Sequence, residues 1–378
     1  MNAQNHSVRC WVAVGVALLA GNVAAAAPFV LARDPQCVAF SPDGTKVVFG
    51  YSGESSGESV AKPHPDPRRC GVIQVIDVVS NKRLWRMETF GDLVRVEFSP
   101  DGRAIAMARL FSPGDGLQLN EVRLFNPADG ATLHVFDRCH GFAWSADGKS
   151  LAILSRTKCA VYDHPKFEKQ REIDSLGGAF AVSWRGNGRL IAGLMNREGK
   201  IFARLCDAAR GKPLAETVLL TDPFYTATFT KDGRQMVTGH PGGIGLFWDI
   251  SEADALAESS VDIDEPLRLR PIGKLETGDQ ELVHPILSPD GKMIALVGQE
   301  QGTVVTWSSD GSKELGKFAL EKGPFRTIYR RPAEIVARPE RDPNRFCFLP
   351  DSSGILCGCQ GGVARGIDGR EIRRYGDY

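Results

Sequence analysis

The sequence predicts an all-β protein, a seven-bladed β-propeller whose blades are four-stranded antiparallel sheets. Three observations predict this fold. A turn of the type aromatic-Ser-Pro-Asp-Gly recurs, with variations, seven times from Phe40 to Phe348, and apolar residues on both sides of the turns alternate with a period of two. The core repeat is about 40 to 45 residues long, which is the length of one propeller blade.

A complete copy of the turn is Phe98–Gly102, with the sequence Phe-Ser-Pro-Asp-Gly. Ser opens a type I turn, Pro presets φ to about −65°, and Gly supplies the positive φ from which the returning strand begins. The last copy, Leu349–Gly354, is predicted to carry one extra residue. A bulky landmark residue precedes each copy, and these landmarks are Phe40, Phe98, Trp144, Trp184, Phe229, Leu287 and Phe348.

Each predicted blade has a strand that enters the turn, a strand that leaves it, a third strand and an outer strand. The third strand ends in a bulky residue followed by a small polar one, as in Trp248-Asp249. The ring closes either with Glu371–Tyr375 alone as the last strand or with an added clasp from Phe29–Leu31, and we expect the clasp. The predicted blades span approximately 28–90, 91–136, 137–176, 177–222, 223–277, 278–323 and 340–378.

The repeated pattern, together with Trp248-Asp249, resembles the WD-repeat family over essentially the whole chain after residue 26. The resemblance implies a propeller fold and non-catalytic binding of a protein or peptide. The Gly-His pair that many members place before the innermost strand is missing, because Gly239-His240 is expected in the loop after the second strand. The weaker turns and the export signal described next are more similar to the exported bacterial propellers that resemble the Tol-system translocation protein.

Residues 1–26 have the features of a signal peptide. Arg9 supplies the positive charge, Cys10–Ala20 the apolar core, and Ala24–Ala26 the small residues at the cleavage site. We expect cleavage after Ala26, one mature propeller over 27–378, no membrane span after cleavage, and a periplasmic or secreted location. A retained membrane anchor is the alternative, but the apolar core is shorter than the ~20 residues that a bilayer requires.

The charge balance bears on the class of partner. The chain has 46 basic and 46 acidic residues, whereas a nucleic-acid or anionic-membrane surface requires a basic excess. The balanced charge therefore argues against nucleic-acid binding. We expect a monomer with an unidentified protein or peptide partner.

Cysteines are the most informative polar residues, because the eight beyond Cys10 are an even number in an oxidising compartment. Two pairs are expected at one end of their blades, Cys37 with Cys70 and Cys139 with Cys159, and we predict both as disulfides. A third is predicted across the last turn, between Cys347 and Cys357, which leaves Cys206 and Cys359 without an evident mate.

No motif for catalysis or for a cofactor stands out. The histidines show no metal-ligand spacing, and no serine nucleophile motif or pair of carboxylates is recognisable. Cys357-Gly358-Cys359 lacks the two-residue spacer of a zinc or redox pair. The sequence predicts no catalytic residue, no metal and no cofactor.

Three long loops carry the candidate binding surface, because propellers usually keep their function in loops. They span 52–69, 251–269 and 319–345, and the second is acidic, lies at the opposite end from the other two and has a short helix predicted over Glu252–Glu258. The third is rich in arginine, which suits recognition of carboxylates, although solvated surface charge is the alternative. The predicted binding residues are Arg95, His284 and Arg345 at the channel mouth, with Arg326, Tyr329, Arg330, Arg331, Arg68 and Arg69 in the loops.

Two functions compete. The first is a non-catalytic scaffold that binds a protein or peptide in the cell envelope. The second is a propeller-type hydrolase or lactonase with its site at the channel mouth, which would need several converging carboxylate or Asn side chains. The predicted innermost strands offer Glu97 and little more, so we favour the scaffold.

Overall fold

The computed structural model describes residues 35–51, 70–90, 92–110, 120–185, 188–198, 200–218, 224, 226–259, 262–278, 283–298, 302–319, 346–357 and 362–375. These residues form seven sheets arranged in a ring, and each sheet contains four antiparallel strands. The predicted seven-bladed β-propeller is therefore confirmed.

The first four blades follow one another along the chain. Blade 1 contains β1 Cys37–Phe40, β2 Lys46–Tyr51, β3 Cys70–Asp77 and β4 Arg83–Phe90. Blade 2 contains β5 Asp92–Phe98, β6 Ile105–Leu110, β7 Glu121–Phe125 and β8 Thr132–Asp137. Blade 3 contains β9 Cys139–Trp144, β10 Ser150–Ser155, β11 Cys159–Asp163 and β12 Lys169–Ile173, followed by a 3₁₀ turn at Asp174–Leu176. Blade 4 contains β13 Ala181–Trp184, β14 Leu190–Arg197, β15 Lys200–Asp207 and β16 Pro213–Thr217.

The last three blades include the one helix of the described part of the chain. In blade 5, β17 Ala227–Phe229, β18 Gln235–His240 and β19 Ile244–Asp249 precede helix α1 Ser251–Ser259 and strand β20 Leu267–Leu269, and β21 Pro271–Glu276 completes the sheet. Blade 6 contains β22 Val283–Leu287, β23 Met293–Gly298, β24 Thr303–Ser308 and β25 Glu314–Ala319. Blade 7 contains β26 Phe346–Phe348, β27 Gly354–Cys357, β28 Val363–Gly366 and β29 Glu371–Arg374.

The first strand of each blade is innermost and runs into the recurring turn. We call the end of the ring that holds these turns the turn end. The opposite end, where the innermost strands begin, is the loop end.

A shared hydrogen-bond network explains the sequence of the turns. In blade 1 the Ser41 hydroxyl donates to Asp43 Oδ1 at 2.6 Å and accepts from the Lys46 amide at 2.9 Å, while Gly44 has φ of 68°. The side-chain pattern repeats at Ser99, Ser145, Thr230 and Ser288. Ser or Thr, Asp and Gly recur because the hydroxyl, the carboxylate and the positive φ each complete one part of the turn.

The seventh turn corrects one expectation, because it has the same length as the others. Phe348 pairs with Ile355, just as Phe40 pairs with Val47 in blade 1. The residue in the left-handed position is Ser352, with φ of 62°, and its amide donates to the Leu349 carbonyl at 2.9 Å. Counting the turn as far as Gly354 gives one extra residue, but Ser352 occupies the left-handed position that a glycine holds in the other turns.

The ring closes between blades 7 and 1. The rings of Phe40 and Tyr375 meet edge to face at 5.7 Å, and a Cβ atom on Gly44 would lie 2.9 Å from Cβ of Pro350. The outer strand of blade 7 is β29, which comes from the expected segment near the end of the chain. Residues 29–31, the expected clasp, lie outside the described residues.

The acidic insertion of blade 5 contains the predicted helix and then crosses to blade 4. Helix α1 covers 251–259, and β20 pairs in parallel with β16, so that blade 4 gains a fifth strand. Arg185, which replaces the Ser of the turn in blade 4, forms an ion pair with Asp254 of α1. The irregular turn of blade 4 and the insertion of blade 5 therefore form one packed unit.

Blade 5 corrects a second expectation. His240 is the last residue of β18, where it pairs with Ile244, and it does not lie in a loop. Its Nε2 lies 2.8 Å from the Thr238 hydroxyl, which accepts a 2.8 Å hydrogen bond from the Trp248 indole. Trp248, of the Trp-Asp pair, is therefore held by a hydrogen-bond chain that ends on the histidine of Gly239-His240.

Candidate functional site

The centre of the ring encloses a cavity of about 410 Å³ lined by the innermost strands of all seven blades. In an innermost strand, the residues one and three positions before the landmark lie on the same side of the strand, because alternate residues of a strand point the same way. Arg95 and His284 are three positions before their landmarks, and both line the cavity. Counting back from the turns therefore located two polar residues of the channel.

Arg95 is held by a carboxylate and an aromatic ring. Its Nε and Nη2 donate to Glu97 Oε1 at 2.9 and 2.6 Å, and its guanidinium carbon lies 4.9 Å from the centroid of the Phe142 ring. The side chains of Arg95 and Glu97 are 16% and 27% exposed, so the pair is largely shielded from water. Arg95 and Glu97 lie on one side of β5 because alternate residues of a strand point the same way. The sequence indicated each residue separately, but it did not predict the ion pair between them.

His284 lies across the ring from Arg95, in blade 6. It is 3% exposed, and its Nδ1 is 3.3 Å from the Thr226 hydroxyl at the start of blade 5. This hydrogen bond joins neighbouring innermost strands near the loop end. The histidine is thus built into the wall of the channel.

Sequence reasoning missed the remaining polar lining of the channel, since single hydroxyl and indole groups carry no motif. Ser183 and Thr228 line it one position before their landmarks, and Trp144 and Trp184 line it as landmarks themselves. The Trp184 indole donates to the Gly188 carbonyl at 3.1 Å. These groups provide hydrogen-bonding positions on blades 3 to 5, whereas the lining from blades 1 and 7 is mostly apolar.

The side chains that line the channel can be compared with those that a hydrolase site would require. Glu97 is the one carboxylate among the described residues that line the cavity, and it is paired with Arg95. Within the described ranges, no group of three or more His, Cys, Asp or Glu side chains is placed to hold a metal ion. The converging carboxylates that this alternative requires are not found among these residues.

The other predicted binding residues fall outside the described ranges: Arg345, Arg326, Tyr329, Arg330, Arg331, Arg68 and Arg69. The strand ends that flank them are described. Tyr51 and Cys70 flank 52–69, Ala319 and Phe346 flank 320–345, and all four strand ends are at the loop end. The two segments therefore leave and rejoin the propeller at the end where Arg95 and His284 line the channel.

The structure forms neither the Cys139–Cys159 nor the Cys347–Cys357 disulfide, since no two sulfur atoms of the described cysteine side chains lie at bonding distance. The side chain of Cys70 lies outside the described residues. Cys347 pairs with Leu356, so the adjacent Cys357 points to the opposite face of the blade, and the two cysteines pack in different core clusters.

The other two predicted pairs are separated by an intervening strand. Cys139 and Cys159 lie on either side of β10, and Cys37 and Cys70 lie on either side of β2. Strands two apart are about 9 to 10 Å from each other, beyond the Cα separation that a disulfide tolerates. Burial raises the pKa of the Cys139 and Cys159 thiols to about 12, which suits inert core residues.

Comparison with known proteins does not assign the chain to a family. No protein-family model matches the chain, and no curated protein is significantly similar to it in sequence. Among the described residues, no helix is both long enough and apolar enough to cross a membrane.

Proposed function

We propose that the protein is an exported, WD-like β-propeller that acts as a non-catalytic scaffold and binds a protein or peptide in the cell envelope. One observation carries the proposal. The strand ends that flank the two inserted segments 52–69 and 320–345 lie at the same end as the polar channel positions Arg95 and His284.

The chemistry of these segments indicates the kind of partner. The segment 320–345 contains six arginines with Phe325 and Tyr329, and Arg68 and Arg69 end the other segment. Guanidinium groups bind carboxylates through two parallel hydrogen bonds, and Arg and Tyr are enriched at interface hot spots. The partner is therefore expected to present carboxylates at the loop end.

The channel supports binding more than catalysis. The Arg95 guanidinium already neutralises Glu97, and the His284 ring is buried against Thr226. Glu97 is the one carboxylate of the described lining, so a second carboxylate is not available there for acid–base chemistry. A charged pair and several hydroxyl groups in an otherwise apolar wall are suited to position a peptide end or side chain.

The test is a quantitative pull-down from the native cell envelope. The mature protein is compared with a variant in which Arg330, Arg331, Arg338 and Arg341 are changed to Gln. A matched control neutralises four basic residues at the turn end, Arg103, Lys149, Arg234 and Lys292. We expect a partner that is lost with the first variant and retained with the control. Equal recovery with both variants would rule out the loop end as the binding face.

Export is tested separately. N-terminal sequencing of the protein from the envelope fraction should give a chain that begins at Ala27. Recovery of an uncleaved chain in the cytoplasm would contradict the proposed location without affecting the fold.

A further inference from the structure

The insertion between β19 and β21 is a separate, strongly acidic element on blade 4. Between 251 and 266 the chain has no basic residue, and its acidic residues are Glu252, Asp254, Glu258, Asp262, Asp264 and Glu265. We call its described parts, 251–259 and 262–269, the acidic strap. It follows β19 at the turn end and runs along the outer edge of blade 4, away from the channel mouth.

Blade 4 presents basic side chains to the acidic strap. Arg189 pairs with Glu258 at 3.0 Å, and Asp262 lies 2.6 Å from Lys212 and 3.5 Å from Arg210. Arg185 pairs with Asp254. The basic face of blade 4 is the set of side chains that make these contacts, namely Arg185, Arg189, Arg210 and Lys212. Its charge is complementary to that of the strap.

The acidic strap is also bound as an added strand. Leu267, Arg268 and Leu269 pair with Ala215, Glu216 and Thr217 of β16, and the Val218 amide donates to the Leu269 carbonyl at 3.0 Å. Leu256 and Ile263 pack against the core between blades 4 and 5. Strand addition to a sheet edge, supported by side-chain pockets, is a common way for proteins to bind extended peptides.

Two ion pairs of the acidic strap involve a buried side chain, whereas its remaining ion pairs are more exposed and individually weak. The two are Arg185 with Asp254 and Arg268 with Glu216. Glu258 and Asp262 have side chains that are 64% and 68% exposed, so water and salt screen their ion pairs. In α1 only Ala253 is buried. Apart from those two ion pairs, the segment is held by many small contributions and can be exchanged for another segment of the same chemistry.

We propose that the basic face of blade 4, with the edge of β16, is a docking surface for an acidic peptide segment, and that the acidic strap is its resident occupant. A partner segment in which acidic residues precede a short apolar strand takes the place of the strap. This surface lies at the turn end and does not depend on the binding proposed at the loop end.

The test uses a synthetic peptide with the sequence of residues 250–270, capped at both ends and labelled, added to the full chain. In a strap-weakened variant Leu256→Ala, Glu258→Gln and Asp262→Asn reduce the hold of the resident strap. Asp254 is kept, because Arg185 has a side chain that is only 4% exposed and needs its carboxylate. We expect the variant to bind the peptide at least about tenfold more tightly than the wild-type chain, and less tightly as salt is added.

Two controls define the surface. A peptide with Asp254, Glu258 and Asp262 neutralised should not bind, and neither should a strap-weakened chain that also carries Arg189→Gln, Arg210→Gln and Lys212→Gln. Absence of peptide binding by a strap-weakened chain that still unfolds cooperatively would overturn the proposal, as would binding that the basic-face substitutions leave unchanged.

If the strap-weakened chain does not fold, hydrogen exchange on the wild-type chain tests the proposal instead. The proposal requires the α1 amides to exchange faster at high salt than at low salt, while the amides of β14 and β15 stay protected. Exchange of α1 that is independent of salt would overturn it.

Discussion

The indole Nε1 of Trp248 donates a 2.8 Å hydrogen bond to the hydroxyl of Thr238, and the same hydroxyl lies 2.8 Å from Nε2 of His240. All three residues are buried in blade 5. A hydroxyl can accept one hydrogen bond while it donates another, so Thr238 links the two rings.

Replacing Thr238 by Val should destabilise the protein by about 1 to 3 kcal/mol, because the Trp248 indole N–H would then be buried without an acceptor. Thr238→Ser keeps the hydroxyl and is the matched control. Urea unfolding followed by fluorescence measures the difference. Equal unfolding midpoints for the Val and Ser variants would show that the hydrogen bond does not contribute.

The ion pair of Arg95 and Glu97 in the channel offers a test of the proposed binding site. Arg95→Gln should lower recovery of the envelope partner about tenfold or more, because truncating one member of a shielded charge pair at an interface typically costs about 2 kcal/mol or more. Arg103→Gln, which removes an exposed arginine at the turn end, is the control. If both variants recover the partner like the wild type, the channel is not part of the interface.

The turn aspartates predict acid sensitivity. The Ser41 hydroxyl, followed by the Thr45 amide, lowers the pKa of Asp43 to about 2. The pKa is also lowered in the other turns, at Asp101, Asp147, Asp232, Asp290 and Asp351.

Because the unfolded chain binds these protons at about pH 4, it holds more protons than the folded chain between about pH 4 and pH 2. The free energy of unfolding should therefore fall as the pH falls through this window. Thermal unfolding from pH 6 to pH 2 measures it, and a variant with Ser41→Ala, Ser99→Ala and Ser145→Ala should lose less stability over the window. A flat melting temperature in the wild type would contradict this prediction.

The state of the cysteines distinguishes the structure, in which Cys139 and Cys159 do not form a disulfide, from the disulfide expected from the sequence. Peptide mapping without reductant should find Cys139 and Cys159 as thiols, because β10 lies between them. Both should alkylate readily in denaturant and slowly in the native protein at pH 8, since burial raises each thiol pKa to about 12. Recovery of a peptide that links the two would overturn the assignment.

Close packing between blades 5 and 6 makes Gly239 sensitive to substitution. A Cβ atom at this position would lie 1.9 Å from the Val283 carbonyl oxygen, so Gly239→Ala must push the two blades apart. The expected cost is about 1 to 3 kcal/mol. Gly141→Ala is the control in an innermost strand, because the new atom would lie at an ordinary 3.5 Å from Leu154. Equal thermal stability of the two variants would contradict this prediction.

Much of the architecture was predictable because its determinants are local. Each turn is stabilised within a few residues, as by Ser41, Asp43 and Gly44, and the period of two marks the strands on both sides. Seven such units determine the number of blades, and the same alternation placed Arg95 and His284 on the channel.

The tertiary structure decided what depends on contacts between distant parts of the chain. Arg185 and Asp254 are 69 residues apart in sequence, and only the packing of neighbouring blades brings them together. Strand β20 likewise pairs with β16 at the outer edge of blade 4. No local sequence pattern predicts this pairing, because it depends on how neighbouring blades pack.

The sequence by itself determined the repeat, the turns and the residues that alternate toward the channel, because each depends on local conformation. It did not determine which face of a blade each cysteine occupies, since a shift of one residue in register exchanges the two faces. Register and blade packing place Cys347 and Cys357 on opposite faces and bring the acidic strap to blade 4.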